Sequence, residues 1–140
     1  MKLYNTATKK IEEFVPIKEG KIGLYNCGPT VYDYTHIGHL RTYTMNDILV
    51  RTLDHEKYDV NFIQNITDVG HLVSDGDTGE DKLEKGAKKY GKSVWDIAKE
   101  FEDYFFKSMD LMGNMRPTKS VKATDHIKEQ LDMVVELEKK

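Results

Sequence analysis

The sequence predicts an α/β fold, and three observations carry that expectation. Two short stretches with strand character, 21–25 and 59–66, flank one amphipathic stretch, 37–53, and strand, helix, strand is the pattern of a parallel βαβ unit. Polar, turn-forming residues sit at the end of each strand: Cys27, Gly28 and Pro29 after the first, Asn65, Thr67 and Asp68 at the second. A parallel unit brings both strand ends to one sheet edge, and open parallel sheets bind ligands in the crevice beyond that edge.

In 21–25 the apolar Ile22 and Leu24 follow Gly20, and Pro29 ends the strand because it lacks a backbone donor. Over 37–53, Leu40, Tyr43, Thr44, Ile48 and Leu49 recur every three to four residues, with Asp47 and Arg51 between them, which is helical spacing. Val60, Phe62 and Ile63 give 59–66 its β-branched and aromatic character. Residues 74–91 are rich in Asp, Glu, Gly and Lys and read as a solvated connection. Ser93 is an N-cap candidate for a helix through Trp95, Ile97, Ala98, Phe101, Phe105 and Met109, ending near Gly113 with Pro117 just beyond. The aromatic residues of that helix, Trp95 and Phe106 included, are expected to pack in the core. A last helix starts near Thr124 or Asp125 and carries Ile127, Leu131, Val134, Val135 and Leu137 at helical spacing. It reaches Lys139 and Lys140 with no glycine or cap, which reads as a cut or naturally abbreviated chain. The expected organisation is a βαβ half over 1–72, an acidic, Gly-containing connection over 73–92, and helices over 93–140.

Composition narrows the function classes. With 140 residues, 39% of them hydrophobic, the chain has enough material for one domain core. A formal charge of -3 excludes a chain that is basic throughout, so any RNA contact must be local. One cysteine cannot form an internal disulfide, and residues 1–10 lack the apolar core of a signal peptide. No apolar run approaches the roughly 20 residues that span a bilayer, and the mean hydropathy is -0.62. A cytoplasmic location with no membrane partner is expected.

The sharpest motif is His36, Ile37, Gly38, His39, at the start of the predicted helix. A glycine there lets a nucleotide approach the backbone, free N–H groups at a helix start attract phosphate, and imidazoles can donate to a triphosphate. Such a tetrapeptide alone is more often two exposed histidines beside a helix terminus. Its context changes the balance. Cys27, Gly28, Pro29, Thr30, Val31, Tyr32 and Asp33 run directly into the histidines. Leu3, Tyr4, Asn5 and Thr6 lie near the start, Asn65, Ile66, Thr67 and Asp68 follow the second strand, and Lys122, Ala123, Thr124, Asp125, His126 and Ile127 lie near the end. Together, in this order, these segments resemble the cysteinyl-tRNA synthetases of class I, whose C-G-P-T-V-Y-D run leads into the HIGH motif.

The resemblance implies the first half of a Rossmann-like (HUP-type) doubly wound parallel sheet, followed by helices leading toward a connective insertion. It implies activation of cysteine with ATP and Mg²⁺ to cysteinyl-adenylate and transfer of the acyl group to tRNA(Cys). It implies Thr30, His36, Gly38 and His39 as ATP-binding, with His36 and His39 catalytic, Gly28 and Thr67 as cysteine-binding, and Cys27 as a zinc ligand. A zinc that binds the substrate thiolate is chemically sensible, since Zn²⁺ favours sulfur and so rejects serine by affinity. Tyr32 and Tyr34 either wall the pocket or pack, and Thr67 with Asp68 is equally a strand-ending turn.

This chain also departs from the family. A tetrahedral zinc site needs about four ligands, and the family's others lie in later sequence, so zinc is expected in the full-length enzyme rather than in this stretch alone. His71, Asp75, Asp77, Glu80 and Asp81 read as a solvated loop rather than as substitutes. The K-M-S-K-S loop and an anticodon-binding domain are absent, so the stretch by itself is expected to bind rather than catalyse. Two other readings stay open: a stand-alone ATP- or cysteine-binding module, and the related mycothiol-pathway ligase, which joins cysteine to an amino sugar but usually differs at Pro29 and Val31. An unfinished parallel sheet leaves an open edge, which predicts self-association.

Overall fold

The computed structural model describes residues 1–69 and 87–140. A small antiparallel hairpin, β1 (Lys2–Asn5) with β2 (Lys10–Glu13), precedes the sheet. The sheet consists of β3 (Lys21–Asn26), β4 (Asp59–Ile66) and β5 (Lys119–Lys122), all parallel, in the order β3-β4-β5. Helix α1 (Ile37–His55) connects β3 to β4, and α2 (Val94–Leu111) lies between β4 and β5. A 3-10 turn, Thr124–His126, leads into α3 (Ile127–Glu138).

Strand alternation decides which face is covered. On β4, Phe62, Gln64 and Ile66 are buried while Asn61 is exposed and Ile63 and Asn65 are half-buried. In register with them, Leu24 lies opposite Phe62 and Asn26 opposite Gln64. The buried face packs against α1 and α2, where Tyr43, Ile66, Ile97, Ala98, Phe101, Phe105 and Met109 form one cluster. Phe105 meets Tyr43 edge-on at 4.9 Å between ring centroids, so the two crossover helices share a core over one side of the sheet. Ser93 caps α2 as expected, its hydroxyl accepting the Asp96 N–H at 3.1 Å, and Gly113 ends it with φ of 71°, a left-handed conformation that glycine adopts without strain.

Several expectations need correction. Residues 93–140 are not helices alone, because β5 adds a third parallel strand. Its sequence, KSVK, carries two lysines and no alternating apolar face, so nothing local marks it as a strand. Asp47, between the apolar positions of α1, is also buried: it accepts from Arg51 Nε and from the Met115 N–H, each at 2.7 Å. Trp95 is exposed, unlike Phe101 and Phe105 on the same helix. Residues 70–86, which include His71 and the acidic group 75–81, lie outside the described residues. Among the described residues no helix is long and apolar enough to cross a membrane.

Candidate functional site

The polar segments after β3 and β4 run side by side. The Val31 N–H donates to the Thr67 carbonyl at 3.1 Å and the Thr67 N–H to the Pro29 carbonyl at 3.0 Å, which makes Thr30 and Thr67 a parallel bridge beyond the strand ends. Gly28 sits so close to β4 that a Cβ built on it would lie 1.6 Å from the Asn65 carbonyl oxygen. Only glycine fits there. The Gly28 N–H donates to Asn65 Oδ1 at 2.8 Å.

The third strand reaches the same edge. The Ala123 N–H donates to the Ile66 carbonyl at 3.0 Å, and buried Asp68 accepts from the Thr124 N–H at 3.2 Å and from its hydroxyl at 2.5 Å. Residues 27–30, 65–68 and 122–124, far apart in sequence, therefore form one ridge along the carboxyl ends of the sheet. The role of Asp68 and Thr124 in joining two of these segments was not expected from the sequence. Nor was that of Asn65, although its spacing to Thr67 puts both side chains on one face of the strand.

At the start of α1 the two histidines cap the helix with each other. His36 is the N-cap and its Nδ1 accepts the Gly38 N–H at 3.1 Å, while His39 Nδ1 accepts the His36 N–H at 3.2 Å. The rings stack, 3.7 Å between centroids and 20° apart. A nitrogen that accepts carries no proton, so each ring is neutral and presents Nε2 as its N–H donor. Burial, and then the neighbouring His36, hold the His39 imidazole below its usual titration range. Gly38 makes the stack possible, since a Cβ there would come within 3.0 Å of the His36 ring.

Thr30, Tyr32, Asp33, Tyr34, His36 and His39 line one recess of about 280 Å³. Thr30 and both histidines are thus brought together, with Gly38 beside them. Tyr34 does two things, walling the recess and packing edge-on against Phe101 and Tyr104. Asp33 is tied by Lys89 at 3.0 Å, by the Tyr90 hydroxyl at 2.9 Å and by the Tyr34 N–H at 2.8 Å. Burial raises its pKa, but these donors outweigh burial and hold the carboxyl below its ordinary range.

Gly28 and Thr67 lie on the ridge and Cys27 at its exposed start; none of the three lines the recess. Burial, with Cys27 nearby, pushes the Tyr43 hydroxyl up to about 12. Among the described residues no three His, Cys, Asp or Glu side chains converge as metal ligands would. The described residues do not make a zinc site by themselves.

With this geometry established, known proteins sharpen the reading. The family model for the tRNA synthetases class I (C) catalytic domain matches residues 13–140. The chain is 52% identical to a cysteine-tRNA ligase of Treponema denticola over 99% of its own length and 28% of that protein. It is 46% identical to cysteine-tRNA ligase 1 of Burkholderia lata over 98% of its length and 29% of that protein. It thus spans under a third of the length of these curated relatives. Among solved structures, the LeuRS of Agrobacterium radiobacter K84, in a ternary complex with tRNA and LeuAMS, superposes with a TM-score of 0.59 at 23% identity, covering 77% of this chain and 13% of that one. That likeness shows the same Rossmann-like class of fold.

Proposed function

We propose a function from the premise that this chain belongs to the family of class I (C) tRNA synthetase catalytic domains: it supplies the first half of the ATP- and cysteine-binding edge of a cysteine-tRNA ligase. The observation that supports this most is the division of one sheet edge into a recess with two neutral imidazole donors and a ridge built around Gly28 and Thr67. In this reading Thr30, Gly38 and the Nε2 donors of His36 and His39 receive the phosphates of ATP with Mg²⁺. Gly28 and Thr67 hold the cysteine.

The reaction joins a carboxylate oxygen of cysteine to the α-phosphorus and breaks that phosphorus's bond to the leaving pyrophosphate; the acyl group then passes to tRNA(Cys). No general base is required, because the attacking carboxylate is already ionised. The chain's part is to position the two substrates and to place fixed donors where phosphate charge develops. Donors held by a helix cap need no reorganisation as that charge moves. Cys27, exposed at the start of the ridge, is the residue that would contribute to a zinc site together with ligands from elsewhere in the intact protein.

Isotope exchange between ATP and pyrophosphate by the intact protein encoded by the source gene tests the reading. Exchange that requires cysteine and is not supported by serine is the expected result. ATP binding without cysteine-dependent exchange would contradict it and favour a binding module instead.

A further inference from the structure

Gly28 and Thr67 come from different strands, yet one side chain holds both. Asn65 Oδ1 accepts the Gly28 N–H at 2.8 Å and the Tyr25 hydroxyl at 2.8 Å, and Asn65 Nδ2 donates to Thr67 Oγ1 at 3.3 Å. The orientation of the amide is fixed by chemistry. The Gly28 N–H is only a donor, so the group facing it must be the amide oxygen, and the NH₂ must then face Thr67. Thr67 Oγ1 is thereby engaged as an acceptor. Its own proton is left free to donate away from Asn65.

We infer that Asn65 is a positioning residue for the amino-acid substrate, setting the Thr67 hydroxyl as an outward donor while fixing the Gly28 turn. The inference rests on the proposed function and adds to it a residue that touches neither substrate. Asn65 is half-buried, and its backbone carbonyl closes against Gly28 where no Cβ fits. Both ends of the relay lie just beyond strand ends, Gly28 in the turn after β3 and Thr67 in the bridge to Thr30 after β4.

Asn65→Asp separates this role from a merely structural one. The carboxylate still accepts from Gly28 and Tyr25, so the turn survives, but it presents an acceptor to Thr67. The Thr67 proton then turns inward, and the outward donor is lost.

In cysteine-dependent pyrophosphate exchange with the intact protein, N65D is expected to raise KM for cysteine about tenfold, the scale of one lost hydrogen bond. KM for ATP should stay within about twofold, since the recess at His36 is untouched. Combined with Thr67→Ala, N65D should add nothing to the effect of T67A alone, because Asn65 acts through Thr67. Asn65→Ser offers a second, smaller replacement that removes the amide donor to Thr67 and is expected to show the same KM split. A wild-type protein active with cysteine, but with N65D and N65S leaving KM for cysteine unchanged or shifting both KM values together, would overturn this role alone. A wild-type protein with no cysteine-dependent exchange would overturn the proposed function and this inference with it.

Discussion

The two halves of the sheet edge are built in opposite ways. The ridge at Gly28, Asn65, Thr67, Asp68 and Thr124 is knit across three strand ends by hydrogen bonds between residues 37 and 56 positions apart. The recess at Thr30–His39 combines a histidine pair that caps its own helix through bonds two and three positions apart with a half-buried Asp33 tied to Lys89 and Tyr90, 56 and 57 positions away. The ridge exists only when the sheet is assembled, whereas the histidine side of the recess is local structure at the start of α1. Under the proposed function this difference is useful. The amino acid meets a surface held across three strand ends, and the nucleotide meets donors fixed by the cap of one helix.

The largest effect that would break the contrast is expected at Gly28. A Cβ placed 1.6 Å from the Asn65 carbonyl cannot be absorbed by side-chain motion, so Gly28→Ala should destabilise by about 3 kcal/mol or more, the upper end for overpacking. At the recess, a Cβ on Gly38 would lie 3.0 Å from the His36 ring, which can shift only at the expense of the stack and cap, so Gly38→Ala should cost about 1 kcal/mol, partly offset by alanine's better helix propensity. Thermal unfolding of the two variants compares them directly, and equal losses would remove the distinction.

Next comes Asp68. Its carboxylate is buried and accepts twice from Thr124, so Asp68→Ala should cost about 1–3 kcal/mol by leaving the Thr124 donors without an acceptor. Denaturant unfolding reads this, and a neutral result would mean that the Asp68 carboxylate does not help to tie the third strand to the edge.

His39→Ala should be milder still, about 1 kcal/mol for loss of one half of a capping box, yet it should raise KM for ATP while leaving KM for cysteine in place. Parallel changes in both constants would show that the two halves of the edge are not separate.

The smallest effect is the pH dependence of that cap. His39 titrates below its ordinary value of 6.5 in the folded chain, so the unfolded chain takes up the proton first as pH falls. The cap's contribution is complete above about pH 6.5 and is lost as pH drops through the lower folded value. The groups around it are His36, Asp33, Tyr32 and Tyr34. Following the ring signals by NMR through acid pH checks the sign: a folded-state midpoint above 6.5 would reverse it.

The same contrast explains what the sequence revealed. Periodicity located β3, α1, β4 and α2 because each carries an apolar pattern of its own, and motif order placed the recess residues because they are neighbours in sequence. The hairpin and β5 escaped because four-residue strands with charged residues, such as KLYN and KSVK, are strands only by virtue of their partners. Asn65 and Asp68 were visible as part of a motif, but their bonds to Gly28 and Thr124 cross the sheet and no local pattern encodes them. The histidines were legible as a pair at a helix start; that their Nδ1 atoms are committed to the helix cap was not. Trp95 sits at a helical spacing shared with buried neighbours, yet spacing alone did not place it on the covered side of α2.

The most direct test of the divided edge is a crystal structure of the intact protein with a sulfamoyl analogue of cysteinyl-adenylate. The predicted result places the adenosine and the sulfamoyl group against Thr30, Gly38, His36 Nε2 and His39 Nε2, with the cysteinyl part against Gly28 and the Thr67 hydroxyl. An analogue bound away from the ends of β3 and β4, or with its cysteinyl part in the histidine recess, would contradict the account.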